Sequence, residues 1–464
     1  MIPSIPHTAA SLASLRIKDL INIIKQENPT LKNGAVVLFA SFEQERYKFR
    51  QESSFYYFTG IAEPAAVAVF NIDGSSALYV PNHGNERASW VHTAIPLIQE
   101  NAKKLGFDTI LPLGEIAPGY QLHPFSDKKY YSTLITAVDK IKEAGGTIFT
   151  LNPNSDYEYV PQRVMVDRFD HWIPGFKQSC VDISKFVAIL RRKKDMREIE
   201  HLYKAVEITI LAQGAAAQAI AQGITESEVQ ASLEYMFTGS GATPAFPSIV
   251  AAGKNGTILH YTANADTLKN GQLVVVDIGA EHEYYCADLT RTYPVSGSFT
   301  KRQKELYTIV LDTQEYIAGI AKPGMWLSNK ENPQKSLHHL AKKFLDDRGY
   351  GKYFIHGIGH FLGMDVHDVG DRAEPLQDGD IFTIEPGIYI PEENIGIRIE
   401  DNYWMVKDGL VCLSEALPKK AEDIEAFMQQ MAQEELEDDL SHDPDHDIID
   451  DEDFDDQEID LAQS

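Results

Sequence analysis

The sequence predicts an α+β protein with two domains and an acidic tail. Three observations carry this prediction. The chain has 464 residues, which is too long for one ordinary domain. Short β-type runs alternate with helical stretches in its first part, whereas long helical stripes alternate with hairpin-like segments after it. The predicted units are an α/β domain at 1–176, an antiparallel sheet covered by helices at 177–432, and a disordered tail at 433–464.

The N-terminal domain is predicted from short apolar runs that alternate with longer amphipathic stretches. A run such as Gly-Ala-Val-Val-Leu-Phe-Ala is continuous and β-branched, which is typical of a buried strand. Strands are expected at 34–40, 66–70, 77–80 and 147–151, and helices at 13–25 and 131–144. This order predicts a sheet with helices packed against it.

The second domain is predicted to begin with a long helical region at Ser184. Its apolar stripe falls on one helical face: Ile199, Leu202, Val206 and Ile210. Thr300 and Gln303 have capping-box spacing, which predicts the start of another helix. Further helices are expected at 337–345 and 424–431, and the hairpin-like segments between the helices supply the sheet.

The net charge of −27 is concentrated in the tail. Residues 434–460 contain 16 Asp and Glu and no Lys or Arg, which leaves 53 acidic against 42 basic residues elsewhere. A mildly acidic body argues against nucleic-acid binding. The tail has too few apolar residues to offset its ordering entropy and is therefore expected to be disordered. The basic run at 191–194 is expected to open a solvated helix.

The cysteines and the lengths of the apolar runs indicate the cellular compartment of the protein. Cys180, Cys286 and Cys412 are far apart and odd in number, so they predict no disulfide framework and favour a reducing, cytoplasmic location. The N-terminal segment lacks the pattern of a secretory signal. No apolar run approaches 18 residues, so no membrane span is expected.

Two acidic pairs are each centred on a turn-like segment. The midpoint of Asp277 and Asp288 falls at 282/283, and the midpoint of Glu385 and Glu400 falls at 392/393. If each segment is an antiparallel hairpin, the two acids of a pair lie directly across the ladder, with Cβ atoms about 5 Å apart. Carboxylates that close repel each other unless a positive group neutralises them.

The acids follow apolar strands, which argues against a plain surface location. Asp277 follows Leu-Val-Val-Val, and Glu385 follows Ile-Phe-Thr-Ile. Buried charges are normally paired or bind metals. A pair of hard divalent cations would neutralise the acids and generate a nucleophile from water. A structural pairing with Arg291 or Arg398, which are close in sequence, is the alternative.

Three histidines occur within twelve residues of one another in HGIGHFLGMDVHDVG. Spacing alone does not choose a metal ligand among His356, His360 and His367, and a lone histidine here would more often be structural. The glycines at 357 and 359 argue against a zinc-binding helix. His260 is a weaker candidate. No GxSxG elbow or Walker A pattern is present, which disfavours other hydrolytic chemistries.

These segments resemble the M24 metallopeptidase family, whose catalytic domain has the pita-bread fold. The resemblance is carried by VDIGA, ADLTRTYPVSG, HGIGHFLGMDVHDVG, EPGIYI and GIRIEDN, and it is strongest to the proline-specific branch. Residues 49–70 are similar to the creatinase-like N-terminal domain of that branch. The similarity reaches to about residue 431 and implies that the chain is an enzyme.

The resemblance implies a role for each candidate residue. Asp277 would bind one divalent metal ion, His360 and Glu385 the other, and Asp288 and Glu400 both. Glu385 would also act as general base. His260 and His367 would hold the substrate carbonyl and the tetrahedral intermediate, Arg398 would orient the site, and Tyr389 and His356 would line the pocket. Manganese is the metal that the resemblance implies, in agreement with an oxygen-rich ligand set.

The implied reaction is release of the first residue from peptides with proline at position 2. The alternative within the family is prolidase activity, which splits Xaa-Pro dipeptides. A non-catalytic peptide-binding protein of the same fold is disfavoured because such proteins typically lose metal ligands. A homodimer or homotetramer is expected, with peptides rather than nucleic acid or membranes as partners.

Overall fold

The computed structural model describes residues 9–43, 47–84, 95, 97–117, 127–152 and 159–441. The N-terminal domain contains helices α1 Ala9–Glu27, α2 Ser53–Thr59, α3 Asn101–Lys104, α4 Ser132–Glu143, α5 Val160–Trp172 and α6 Phe176–Ser179. Its strands are β1 Gly34–Phe39, β2 Val67–Asn71, β3 Ser76–Val80, β4 Thr109–Pro112, β5 Thr147–Thr150 and β6 Cys180–Asp182. The strands form one mixed sheet in the order β4-β3-β2-β1-β5-β6. The predicted α/β unit is thus present.

The second domain surrounds short antiparallel ladders with helices. The helices are α7 Ser184–Arg192, α8 Met196–Ala219, α9 Glu226–Gly239, α10 Lys301–Ile320, α11 Leu337–Asp346 and α12 Ala421–Ser441. The strands are β7 Thr243–Pro244, β8 Ile249–Ala252, β9 Leu273–Ile278, β10 Ala280–His282, β11 Tyr285–Cys286, β12 Leu289–Pro294, β13 Ile381–Ile384, β14 Gly387–Ile390, β15 Ile395–Arg398, β16 Asp401–Val406 and β17 Gly409–Cys412. This arrangement confirms the predicted α+β class.

The helix starts follow from local side-chain chemistry. Thr300 and Gln303 form the predicted capping box at the start of α10, because each side chain bonds the other residue's backbone N–H. The helical region predicted from Ser184 is two helices instead of one. The backbone is extended at Lys193, and Asp195 then caps α8 in a second capping box.

The two domains share a hydrophobic core. One cluster of buried side chains joins residues of α1, α2 and the N-terminal sheet to residues of α8 and of the 285–289 segment, among them Leu20, Phe55, Leu202 and Leu289. A larger cluster lies between the helices and ladders of the second domain. Continuous apolar packing across the domain boundary fixes how the N-terminal domain sits against the catalytic ladders.

Two predictions about charged segments need correction. The basic run at 191–194 was expected to be solvated, but Arg191, Arg192 and Lys194 are 2%, 5% and 6% exposed, respectively. Each of the three pairs with an aspartate distant in sequence. Helix α12 continues to Ser441, so 433–441 are helical rather than disordered, and the rest of the predicted tail lies outside the described residues.

Strand β6 pairs with β5, so the N-terminal sheet extends past the boundary predicted at 176. Cys180, Cys286 and Cys412 are free thiols. Within the described ranges, no helix has the length and apolar character needed to cross a membrane.

Candidate metal centre and active site

Asp277 and Asp288 come from the hairpin formed by β9 to β12. The ladder pairs Asp277 with Thr290, not with Asp288, so the predicted register is wrong by two residues. The turn lies at Glu283 and Tyr284, whose φ angles of 49° and 72° are both left-handed. Because side chains alternate with a period of two, the shift keeps Asp288 on the same face as Asp277. The two acids are therefore diagonal neighbours.

Glu385 and Glu400 lie opposite each other, as predicted. Ile384 pairs with Asp401 in one ladder and Gly387 pairs with Arg398 in the next, and both pairings belong to the same register. Glu385 faces Glu400 in the short gap between these two ladders. The second hairpin thus presents both acids on one face, towards the first hairpin.

Thr290 joins the two hairpins. Its backbone forms a bridge with Glu400, whose N–H donates to the Thr290 carbonyl at 3.1 Å. Its hydroxyl donates to Glu400 Oε2 at 2.7 Å and accepts a bond from Arg398 Nε at 3.1 Å. Thr290 is not among the candidate residues predicted from sequence. Its position two residues after Asp288, on the same strand face, is the signal that would have identified it.

Arg398 is the buried cation of the site. Its Nη2 donates to Asp277 Oδ2 at 2.6 Å, and its Nη1 donates to the Tyr389 hydroxyl at 2.9 Å. The same hydroxyl lies 2.9 Å from His356 Nε2. Tyr389 is buried behind the cavity and is not among the residues that line it, contrary to the expectation from sequence. Arg291 pairs instead with Asp401 at 2.7 Å.

His360 faces the carboxylates through one nitrogen. Its Nε2 lies 3.4 Å from Asp288 Oδ2 and 3.7 Å from Glu385 Oε1. Its Nδ1 lies 3.1 Å from the Phe361 carbonyl, which can only accept, so Nδ1 carries the hydrogen. Nε2 is then left with its lone pair towards the acids, as a metal ligand requires. Gly359 permits this approach, since a Cβ there would lie 1.9 Å from the Thr383 oxygen.

The acids carry more negative charge than the protein neutralises. Burial, followed by the proximity of Asp277 and Glu385, raises the pKa of Asp288 well above its usual range. Burial and Asp288 do the same to the pKa of Glu400, and burial raises the pKa of Glu385 to about 7. Arg398 opposes these shifts but does not cancel them. The site therefore favours additional positive charge.

The donor set fits divalent cations. Asp288, His360 and Glu400 each offer a ligand atom, and these atoms lie within 4.8 Å of one another. Asp277 Oδ1 is buried and has no hydrogen-bond partner among the described residues. A buried carboxylate oxygen without a partner is costly unless a cation binds it. A set of oxygen donors with a single imidazole suits a hard metal ion, whereas structural zinc sites are often rich in thiolates.

A cavity of about 750 Å³ opens onto this cluster. It is lined by all the predicted metal ligands and by the other candidate polar residues except Tyr389: Asp277, Asp288, His360, Glu385, Glu400, His260, His356, His367 and Arg398. Its apolar wall includes Phe246, Leu259 and Val366, and Arg372 lies at the rim; sequence reasoning missed these four. These residues lie in loops, where the sequence has no hydrophobic periodicity that would identify them.

Two histidines of the cavity, His356 and His367, are neutral near pH 7 because their pKa values are lowered. Burial and the charge of Arg398 lower the pKa of His356 to about 3. Burial and the neighbouring His360 lower the pKa of His367 to about 4, and the two rings lie 4.2 Å apart between centroids. A neutral imidazole can donate one hydrogen bond to a substrate oxygen without adding charge. His260 and His367 are both exposed to the cavity.

Comparison with known proteins extends over both domains. The profile of metallopeptidase family M24 matches residues 200–407, and that of the aminopeptidase P N-terminal domain matches 14–122. Xaa-Pro aminopeptidase of Escherichia coli (strain K12) is 32% identical over 88% of this chain and 95% of its own length. Xaa-Pro dipeptidase of Pyrococcus furiosus is 39% identical over 49% of this chain and 64% of its own. Aminopeptidase P from E. coli with the inhibitor Pro-Leu superposes with a TM-score of 0.75 at 28% identity, covering 92% of this chain and 100% of that chain.

Proposed function

Because the chain belongs to the M24 metallopeptidase family, we propose that it is an Xaa-Pro aminopeptidase that releases the first residue from peptides with proline at position 2. The observation that carries the proposal is the set of four carboxylates and one imidazole that line the cavity together, all of them buried except the half-buried Glu385. Similarity to an Xaa-Pro aminopeptidase over 88% of the chain supports the substrate class. The resemblance of the sequence to the family is confirmed.

We propose that two divalent ions, in the cell Mn²⁺, bind this set. Asp277 would hold one ion through its free Oδ1, His360 and Glu385 the other, and Asp288 and Glu400 both. When bound, the ions polarise the scissile carbonyl and supply a nucleophile from water at neutral pH. The oxygen-rich donor set supports manganese over zinc.

The remaining residues would transfer the proton, bind the carbonyl oxygen and orient a metal ligand. Glu385 Oε2 lies 3.4 Å from His356 Nδ1, at the side of the cluster that opens to the cavity. We propose that Glu385 accepts the proton of the attacking water and passes it to the proline nitrogen, which has no N–H of its own in the peptide. His260 and the neutral His367 would donate to the carbonyl oxygen as it gains charge. Arg398, held by three polar contacts, would fix Asp277.

Prolidase activity is the second candidate. The dipeptidase of P. furiosus is more similar in identity, but over only about half of this chain. The match of residues 14–122 to the aminopeptidase P N-terminal domain favours the aminopeptidase. A homodimer or homotetramer and a cytoplasmic location stay predictions, the latter from the cysteine pattern.

A product analysis separates the candidates. The protein would be incubated with Ala-Pro, with Ala-Pro-Ala-Ala and with Ala-Ala-Ala-Ala, each with Mn²⁺ and with a chelator. We expect free alanine from the Pro-containing tetrapeptide, at a rate well above that from the dipeptide, and only with metal. Preference for Ala-Pro would assign a prolidase, and equal cleavage of the peptide without proline would contradict the proposed specificity.

The His367→Ala variant tests the role of the loop histidine. It should retain both metals but lose about 2–4 kcal/mol of transition-state stabilisation, as when an oxyanion donor is removed. The loss should fall on kcat. His171, an exposed histidine of α5, offers the matched control: His171→Ala should leave kcat unchanged. An unchanged kcat in His367→Ala would mean that another residue holds the carbonyl.

A further inference from the structure

His367 sits on a loop whose backbone, not its own side chain, fixes its position. The Asp368 N–H donates to the Phe361 carbonyl at 3.0 Å, and the Gly363 N–H donates to the Asp365 carbonyl at 3.2 Å. These bonds close the loop 361–368. In the part of the chain that the structure describes, the imidazole of His367 has a ring contact with His360 but no hydrogen bond. Its aim into the cavity therefore depends on the residues beside it.

The two aspartates that flank His367 are held by one guanidinium. Arg191 Nη2 lies 2.6 Å from Asp368 Oδ1 and 2.8 Å from Asp365 Oδ2. Lys194 Nζ lies 2.8 Å from the other oxygen of Asp368. The side chains of Arg191, Lys194 and Asp368 are 1–2% exposed, so these are charge-assisted bonds in a low-dielectric setting.

The N-terminal domain contributes directly to this network. The Ser53 hydroxyl, at the start of α2, donates to Asp365 Oδ1 at 2.6 Å. The neighbouring Ser54 hydroxyl accepts from Arg191 Nη1 at 2.9 Å. Arg50 Nη2 donates to the Met364 carbonyl at 2.6 Å, inside the loop itself. The loop is thus held from two sides, by the α7–α8 connection and by the other domain.

Gly363 allows the network to close tightly. A Cβ at this position would lie 2.1 Å from Asp368 Oδ2 and 2.8 Å from Lys194 Cε. Any side chain there would push the ion pair away from the loop. The contact geometry therefore leaves little freedom to the segment between the two aspartates, which contains His367.

We propose that this interdomain network, consisting of Arg50, Ser53, Arg191, Lys194, Asp365 and Asp368, positions His367 for catalysis. We call it the loop clamp. The inference rests on the proposed function and extends it, because it gives the N-terminal domain a part in the chemistry. Asp365 and Ser53 are positioning residues: they do not line the cavity and act through the backbone of the loop.

A double-mutant cycle with His367 tests the loop clamp. Asp365→Asn removes the charge that Arg191 contacts, and Ser53→Ala removes the hydroxyl that bonds Asp365 and Arg50. Both leave the fully buried Arg191–Asp368 pair in place. Each should lower kcat on a Pro-containing peptide by about 10- to 100-fold, as a misplaced catalytic group does. Metal content and melting temperature should stay near wild type. In a His367→Ala background the same substitutions should have no further effect on kcat, because the group that they position is absent.

Arg16→Gln is the matched control. Arg16 also joins the two domains, with Nη2 at 3.0 Å from Asp195 and 3.1 Å from Glu198, but it does not contact the loop. Its loss should leave kcat unchanged even where stability falls. Full kcat in both clamp variants, the same fold loss with and without His367, or loss of bound metal would each overturn the inference. An inactive metal-loaded wild type would instead refute the proposed function, and the inference with it.

Discussion

Arg398 Nη2 donates to Asp277 Oδ2 at 2.6 Å, whereas Oδ1 of the same carboxylate is buried without a partner among the described residues. One oxygen is therefore held by the protein and the other is left for a cation. The guanidinium also bonds Thr290 and Tyr389, so it aligns both hairpins with one planar group. The planar guanidinium of Arg398 therefore determines the geometry of the site together with the carboxylates.

Arg398→Lys tests whether the planar guanidinium is required or whether its positive charge is enough. Lysine keeps the positive charge but cannot reach three partners in one plane. We expect metal content near wild type and a fall in kcat/KM of about 10- to 100-fold from misplacement of Asp277. Arg302→Lys, in the exposed pair with Glu393, is the control and should be silent. Wild-type kcat/KM in Arg398→Lys would show that charge alone suffices.

Asp288→Asn and Glu400→Gln should each remove a charge shared by two ions. We expect lower metal occupancy and a fall in turnover of about 100-fold or more, because several kcal/mol of charge stabilisation are lost. Metal analysis and peptide hydrolysis measure the two effects. Glu392→Gln, an exposed acid in the turn of the same hairpin as Glu400, is the control. Full metal occupancy together with a wild-type rate in either variant would refute the shared-ligand assignment.

The metal-free protein should lose stability as pH rises from 5 to 8. Burial and mutual repulsion raise the pKa of Asp288 and Glu400, and burial raises that of Glu385 to about 7. Protonation of these groups in the folded state therefore stabilises it fully below the unfolded-chain pKa of about 4, and this stabilisation is lost as pH rises through the folded-state pKa. Thermal melts of chelator-treated protein should show a falling melting temperature, which Mn²⁺ restores at pH 8. A metal-free melt that is independent of pH would contradict the repulsion argument.

The two hairpins show what the sequence can and cannot specify. The second hairpin turns through Asn394, at a φ of 52°, and asparagine tolerates left-handed backbone. Its register was predicted correctly. The first turns through Glu283 and Tyr284, neither of which signals a left-handed turn. Tyr284 is held there by stacking on Tyr56 of the N-terminal domain, with ring centroids 3.7 Å apart. A tertiary contact thus sets that register, and local sequence does not encode it.

Buried charged residues show the same limit of prediction from local sequence. The capping box at Thr300 was predictable because both partners lie within one helical turn. Arg191 and Lys194 were misread because their partner Asp368 lies 177 and 174 positions away in the chain. Composition makes a basic run look solvated, and only the fold reveals that aspartates neutralise it. The candidate metal ligands could be proposed from sequence because they lie in short motifs that resemble those of the M24 family.

Helix α12 sets the point at which the chain can be shortened. Ile424 and Met428 are buried in the catalytic-domain core. A Cβ built on Gly214 of α8 would lie 3.4 Å from Met431 Sδ and 3.7 Å from Phe427 Cζ, so both side chains pack on α8 at this glycine. Among the described side chains, the apolar face that docks α12 therefore runs from Ile424 to Met431.

Truncation after Gln433 should leave the melting temperature, metal content and peptidase rate near wild type. The removed segment is densely acidic, and its charges oppose association between molecules, so solubility should fall. Truncation after Lys420 is the contrasting variant. It removes Ile424 and Met428, whose loss costs about 2–5 kcal/mol for each side chain, and should lower the melting temperature by several degrees. Melts and rates measured on both proteins decide the matter: an equally large drop after Gln433 would show that the residues beyond it dock on the body of the protein.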